Sequence, residues 1–477
     1  MHYSKIIDKY SFIFLSLIIF PLSVFSPILI WIPGFFFSLL MFFFSKNKKI
    51  FISKPSKQEW LCIAFILFSL ISIFWTNNKS YATEKSFEIV LLFITFRVLY
   101  IKSEFLEEKT LCISFLTFSF GLTCLFLLLD FIFLLGVKPW ISQNFDLLIN
   151  KNTNSLLSYE VFQNDYKHKG SSGSGAYSRG LSTICIFYFL IIVANYKNKL
   201  KGISIFFLGA ITIFLGVSLT VKVAIISTFL ISFLIFLNRK FFFKLISLLL
   251  AIYLFSAPYA LNTIGINEWA DHNKKLHLES REINNKLDAY KIKPLINLDN
   301  EYLDLRSRLF LNNLLGKISH RLLIWSFTSE QIYEDFFLGK GIYSSRKIGE
   351  TTKVNLKQFT FDKNADGMID DKEKTELIGL DYYYSAIPLH PHNNALQIWL
   401  ELGLVGIFLY VVLIISLWKR IIFEKNITKF KAALLSGTTF SIFMINQSSF
   451  GLWQTWWLSA IILSIIFFNI IIKKINF

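Results

Sequence analysis

The stretch HPHNNALQIWLELG, residues 390–403, marks the point where a long hydrophilic segment gives way to an apolar helix. It places two imidazoles, those of His390 and His392, directly before a run of membrane-spanning character. Histidine changes its charge near neutral pH and is the side chain used most often as a general acid or base. The stretch therefore indicates chemistry at the boundary between a membrane and water.

The composition of the chain exceeds what a soluble core can bury. Of its 477 residues, 54% are hydrophobic and 53 are phenylalanine, and apolar runs of spanning length recur along the sequence. The predicted fold class is therefore all-α, a polytopic integral membrane protein. The first run follows a short flank with Lys5 and Lys9 and shows no small-residue cleavage site, so we expect a retained span rather than a signal peptide.

Hydropathy predicts about twelve transmembrane helices, which divide the chain into three parts. Residues 1–261 hold the first nine spans and a hydrophilic loop at 137–178. Residues 262–394 form a long cap that we expect to be helical, and residues 395–477 hold the last three spans. The predicted spans are residues 11–26, 28–45, 59–75, 86–101, 112–136, 179–195, 202–219, 223–238, 245–261, 395–417, 432–450 and 456–472.

The net charge of +17 has a simpler source than nucleic-acid binding, so we expect membrane lipids and no nucleic acid as partners. Basic residues are concentrated in alternate loops, for example at 46–57, 197–201 and 419–431. Cytoplasmic loops of membrane proteins carry this excess of positive charge. The pattern predicts that both termini are cytoplasmic and that the loop 137–178 and the cap 262–394 lie on the opposite side.

Two cations depart from this charge rule, and a third can join them. Arg179 begins the sixth predicted span and Lys222 the eighth, both at the outer boundary of the membrane. Arg321 lies in the cap, from where it can fold down to the same level. A charge near the bilayer edge is expensive, which favours an anionic functional partner. The alternatives are snorkelling to lipid headgroups for Arg179 and Lys222, and an ordinary solvated helix position for Arg321.

Several segments of the chain resemble the O-antigen ligase and polymerase superfamily of membrane glycosyltransferases. They are HPHNNALQIWLELGLVG at 390–406, RLLIW at 321–325 followed by FFLGKG at 336–341, and SRG at 178–180. The resemblance implies a GT-C-like membrane fold, an undecaprenyl-diphosphate-linked glycan as donor and a lipid A core oligosaccharide as acceptor. It also implies an active site on the periplasmic face of a bacterial inner membrane.

The same donor serves related reactions, so alternatives stay open. A repeat-unit polymerase adds the glycan to another lipid-linked repeat, and a protein O-oligosaccharyltransferase adds it to a protein hydroxyl. A flippase or transporter for the lipid-linked glycan belongs to a different class, whose members place polar groups near the bilayer midplane. The polar groups of this chain gather at one face beside a long cap, which favours an enzyme.

The residues suggest roles in an inverting transfer without a catalytic cofactor or metal. A diphosphate-linked sugar has a good leaving group, so the barrier lies in stabilising phosphate charge and activating a hydroxyl. Arg179, Arg321 and Lys222 are the candidates for binding the diphosphate. Lys222 replaces an arginine that the family often carries and lacks its bidentate geometry. His392 is the candidate base, and His390 is its helper or an acceptor-binding group.

Three further residues are candidates for support of this site. Asn393 opens the helix that follows the histidines, and Gln397 and Glu401 lie four residues apart on one face of that helix. A structural hydrogen bond from Glu401 to a neighbouring helix is an equal alternative to a catalytic role. For the histidines, the alternative is a solvated pair beside a helix cap formed by Pro391 and Asn393.

A second site signal is independent of the resemblance. Residues 362–373, DKNADGMIDDKE, match the EF-hand loop, in which oxygen ligands at alternate positions, a glycine at the sharp turn and a closing glutamate enclose calcium. An acidic solvated turn is the alternative. The predicted ligands of this structural calcium are the side chains of Asp362, Asn364, Asp366, Asp370 and Glu373 and the carbonyl of Met368.

Overall fold

The chain folds as a largely helical membrane protein, which confirms the predicted all-α class. The computed structural model describes residues 2–45, 53–133, 175–216, 218–262, 321–360, 378–424 and 427–475, with isolated positions between these ranges. Each predicted span overlaps one helix, although the bounds differ by several residues in places. These helices are His2–Phe25, Trp31–Phe43, Lys57–Ile71, Lys79–Glu104, Lys109–Phe133, Gly175–Asn195, Lys199–Leu215, Leu219–Leu237, Arg239–Ala260, Asn394–Ile422, Lys429–Asn446 and Thr455–Ile475.

Within the described residues, 8 helical segments are long and apolar enough to cross a membrane. Helices suit a membrane because their backbone amides and carbonyls form hydrogen bonds with one another within the segment. The lipid offers these groups no hydrogen-bond partner. The segment Pro27–Phe43 is apolar but shorter. The chain is therefore an integral membrane protein, and the count of about twelve spans stays a prediction.

The chain divides into two compact units that interleave along the sequence. The first comprises residues 1–66, 83–251 and 409–477, and the second comprises residues 67–82 and 252–408. Arg179 and Lys222 therefore belong to the first unit, and Arg321 and the two histidines belong to the second.

The first unit is built around the helix Gly175–Asn195. Every residue of this helix from position 181 to position 193 is buried. Small residues let neighbouring helices approach closely: a Cβ atom on Gly209 would lie 2.6 Å from the ring of Tyr188. The helix that carries Arg179 is thus the central one of this unit.

The second unit contains the described part of the cap. Residues 321–334 and Ser344–Thr351 are helical. The strands Lys353–Thr360 and Ile378–Ser385 pair antiparallel, with residue 353 opposite residue 385. This hairpin adds strands to a cap that we expected to be helical. Its second strand contains the run Tyr382-Tyr383-Tyr384, and aromatic residues favour strands.

The helix Asn394–Ile422 is interrupted at Gly403. This residue has φ 60° and ψ −158°, a conformation that is essentially restricted to glycine. Hydropathy predicted an uninterrupted span here, because a single glycine barely alters the apolar character of a run. The interruption frees backbone amides and carbonyls, which need new partners at membrane depth.

The segment 336–341 supplies those partners. Two of its amides donate to carbonyls just before the interruption, and two of its carbonyls accept from amides just after it. Gly339, at φ 70°, lies so close to the helix that a Cβ atom there would be 2.5 Å from the carbonyl carbon of Glu401. The bonds are Lys340 to Leu400 (2.8 Å), Gly341 to Glu401 (2.9 Å), Leu404 to Phe336 (2.9 Å) and Val405 to Phe337 (3.3 Å), donor first.

Replacing Gly403 by alanine is expected to destabilise the protein by at least about 2 kcal/mol, because the positive φ is strained for alanine and the new Cβ meets the carbonyl of Phe337. The measurement is the midpoint of thermal unfolding in detergent. Gly121→Ala is the matched control, since a Cβ there has nothing within 4 Å and alanine favours a helix. Equal midpoints for the two variants would contradict the tight junction.

Candidate active site

The two histidines lie in a tight turn directly before the helix that starts at Asn394. His392 has φ 55°, a left-handed conformation that is uncommon for a residue with a side chain. Its backbone amide donates to Nδ1 of His390 at 3.1 Å. The two imidazole centroids are 4.3 Å apart. The turn therefore brings both rings together, as the sequence spacing suggested.

Two side chains outside the turn hold it in place. Trp325 donates from Nε1 to the carbonyl of Pro391 at 2.9 Å. Asn393 donates from Nδ2 to the hydroxyl of Tyr253 at 3.1 Å, and its Oδ1 accepts from the amide of Leu396 at 3.2 Å. Asn393 is thus a helix cap and an anchor. Sequence reasoning named Trp325 only as part of the segment RLLIW, without a role, and missed Tyr253, because neither belongs to the histidine motif.

The two imidazoles differ in their exposure to solvent. His390 is 6% exposed, whereas His392 is partly exposed. Burial, followed by the neighbouring His392, lowers the pKa of His390 to about 3. His390 is consequently neutral at physiological pH, and His392 is the more accessible of the two rings.

Gln397 and Glu401 meet on the buried face of the same helix. The fully buried carboxyl of Glu401 accepts from Oγ of Ser345 at 2.6 Å and from Nε2 of Gln397 at 3.3 Å. The bond from Ser345 ties this helix to the helix Ser344–Thr351, which favours the structural alternative for Glu401. Sequence reasoning missed Ser345, since no local pattern pairs it with Glu401.

Arg321 lies in the same unit as the histidine turn. It is four residues before Trp325, so the two side chains share one face of the helix over residues 321–334. Burial lowers the pKa of Arg321. Among the described residues it has no carboxylate partner within ion-pair distance. The hydrogen bond from Trp325 to Pro391 links the helix that carries Arg321 to the turn that carries His390 and His392.

Arg179 and Lys222 lie in the first unit and are both partly buried. The guanidinium carbon of Arg179 is 5.5 Å from the ring centroid of Trp456, a cation–π contact. Within the described ranges, neither cation has a carboxylate partner, whereas Lys102 pairs with Asp8. Because these two cations and the histidines belong to different units, their convergence at one site stays a prediction.

The calcium ligands predicted at 362–373 lie outside the described residues, between the two strands of the hairpin in sequence. In the part of the chain that the structure describes, no cluster of three or more His, Cys, Asp or Glu side chains is suited to a metal. The calcium site therefore stays a prediction that depends on the spacing of the loop residues alone.

Comparisons with known proteins agree with the resemblance. Residues 204–411 match the family model described as O-antigen ligase. Two proteins that carry the provisional name polysaccharide ligase are also similar. The Rickettsia conorii protein is 33% identical over 156 residues and the Rickettsia felis protein 34% identical over 155 residues. Each alignment spans 32% of this chain and 32% of the relative, so the likeness covers about a third of either protein.

Acidification is expected to destabilise the native protein more than its His390→Asn variant. Below a pH of about 6.5 an unfolded histidine binds a proton, whereas folded His390 stays neutral down to about pH 3. Stability therefore rises with pH through this window, by up to about 1.4 kcal/mol per pH unit, and is unaffected above it. Unfolding midpoints of both proteins between pH 7.5 and pH 5 measure the difference, and parallel curves would contradict a buried neutral imidazole.

Proposed function

We propose that this chain, whose residues 204–411 are assigned to the O-antigen ligase family, transfers a glycan from undecaprenyl diphosphate to lipid A core oligosaccharide. The reaction occurs at the periplasmic face of the bacterial inner membrane, with both termini cytoplasmic. One observation carries the proposal: Trp325 joins the helix of Arg321, which is partly buried and has no carboxylate partner among the described residues, to the turn of the histidine pair. Diphosphate binding and proton acceptance require these two kinds of group.

The chemistry is a direct displacement. A hydroxyl oxygen of the acceptor attacks the anomeric carbon, and the bond from that carbon to the diphosphate oxygen breaks. The diphosphate leaves with the electron pair, and His392 takes the hydroxyl proton. A single displacement inverts the anomeric centre. His392 is suited to the proton transfer because it is the more exposed imidazole, and a histidine base contributes about 10²- to 10⁴-fold.

The diphosphate is an anion that suits Arg179, Arg321 and Lys222, none of which has a carboxylate partner among the described residues. Arg321 supplies a planar fork that matches phosphate oxygens, and Arg179 and Lys222 are further candidates for binding them. A partly buried arginine such as Arg321, for which the described residues offer no carboxylate partner, is costly when the site is empty. Binding a dianionic diphosphate offsets that cost, and it stabilises the charge that grows as the sugar leaves. Side chains rather than a metal therefore stabilise the phosphate charge.

Removing the base or a diphosphate cation is expected to abolish most of the transfer. In liposomes with a lipid-diphosphate glycan and lipid A core, His392→Ala, Arg321→Ala and Arg179→Ala should each lower the rate by about 100-fold or more. Arg346→Ala is the control and should keep a near-native rate. Its guanidinium already has partners, since it lies 4.5 Å from the ring of Tyr81 and pairs with Glu350. Near-native rates for Arg321→Ala would contradict the assignment of the diphosphate site.

The product identifies which of the related glycan-transfer reactions the chain catalyses. Glycan on lipid A core supports the ligase, and a lengthened lipid-linked glycan supports the repeat-unit polymerase. Glycan on a protein hydroxyl supports a protein O-oligosaccharyltransferase. Movement of the donor across the bilayer without a new glycosidic bond would instead identify a flippase or transporter and overturn the proposed function.

We also propose a structural role for calcium at residues 362–373, where it would brace the cap before the histidine turn. The support is the match of five side-chain ligands and the turn glycine, Gly367, to the EF-hand spacing. Replacing Asp362 by Asn together with Glu373 by Gln should remove calcium binding, which isothermal titration of the purified protein measures. Extracellular sites of this kind bind at about 10⁻⁴ to 10⁻³ M. Unchanged binding by the double variant would reject the site.

A further inference from the structure

We infer that His390 is a positioning residue for the proposed transfer: its unprotonated Nδ1 holds His392 in the left-handed turn, and its hydrogen resides on Nε2. The two histidines then have separate tasks. His392 accepts the proton, and His390 fixes the backbone from which the His392 ring projects. The effect on transfer rests on the proposed function, whereas the position of the hydrogen on His390 does not.

The hydrogen bond between the two residues decides the tautomer. The backbone amide of His392 is a donor and cannot accept, so Nδ1 of His390, at 3.1 Å, must present its lone pair. A neutral imidazole with a lone pair on Nδ1 carries its hydrogen on Nε2. Adding a proton to Nδ1 would set two N–H groups against each other. The bond therefore requires a neutral His390 of one tautomer.

The conformation of His392 explains why such a bond is needed. A left-handed backbone costs a residue with a Cβ atom about 1–2 kcal/mol, so the turn persists only where its surroundings hold it. The bond to His390 acts on His392 itself. The bonds from Trp325 to Pro391 and from Asn393 to Tyr253 act on its two neighbours in sequence. Losing the bond to His390 removes a direct restraint on the backbone of the residue that carries the base.

The exposures of the two rings fit this division. His390 is 6% exposed and packs with its ring centroid 4.3 Å from that of His392. A group that meets an acceptor hydroxyl needs access, and His392 has more of it. A base misplaced by about 1 Å costs roughly 100-fold in rate. His390 can thus matter greatly for the reaction without contacting the substrate.

Two amide substitutions separate the nitrogens of His390. His390→Asn places a carbonyl oxygen near the position of Nδ1 and retains an acceptor for the His392 amide. His390→Gln places an amide nitrogen near the position of Nε2 and removes that acceptor. We expect His390→Asn to keep kcat within about fivefold of the native value. His390→Gln and His390→Ala should lower kcat by about 10- to 100-fold with little change in the KM for the donor.

The control on folding is the unfolding midpoint of each variant in detergent. A greater loss in His390→Asn than in His390→Gln would overturn the inference, because Nε2 would then be the nitrogen that the reaction needs. Equal and near-native rates for all variants would overturn it as well. If the native protein forms no glycosidic bond, the proposed function fails, and the inference is decided by the tautomer.

The tautomer is measured by solid-state ¹⁵N NMR of the native protein in lipid bilayers at pH 7.5, with all 7 histidines labelled. The signals missing from the His390→Asn or His390→Gln spectrum assign His390. We expect a pyridine-like Nδ1 shift and a pyrrole-like Nε2 shift. A pyrrole-like Nδ1 would overturn the inference whether or not the protein transfers a glycan.

Discussion

The need to satisfy backbone hydrogen bonds at membrane depth shapes the second unit. A helix interrupted in lipid has unpaired amides and carbonyls that water cannot reach. Here the interruption at Gly403 is stable because the segment 336–341 bonds to both sides of it. Only glycine fits at Gly403 and Gly339, because the two backbone segments lie too close together to leave room for a Cβ atom. Non-helical backbone at this depth is tolerated only when it is enclosed in this way.

This junction connects to the histidine turn through a short chain of contacts. Glu401, beside the interruption, binds Ser345 at the start of the helix Ser344–Thr351. That helix lies so close to the segment before the histidines that a Cβ atom on Gly349 would overlap the carbonyl of Ile387. From the other side, Trp325 holds Pro391. The His390–His392 turn is therefore fixed by tertiary contacts on both sides, which suits a base that must be preorganised.

Hydropathy was enough to predict the helices, because lipid selects apolar runs of defined length regardless of what they pack against. The motif at 390–403 was enough to predict the paired imidazoles and the cap at Asn393, since both depend on neighbours in sequence. The interruption at Gly403 and the bonds of Trp325 and Ser345 were not predictable. The interruption and both bonds depend on partners tens of residues away in sequence. The local pattern of residues does not predict such long-range partners.

The proposed function depends most on one condition: a diphosphate must bind Arg321, with its sugar at the partly exposed imidazole of His392. The most direct measurement is a cryo-electron microscopy structure of the native protein in nanodiscs with a non-hydrolysable lipid-diphosphate glycan bound. We expect the phosphate oxygens within hydrogen-bond distance of Arg321, and the anomeric carbon facing His392. A diphosphate bound away from Arg321, or a sugar that points away from His392, would contradict the proposed function.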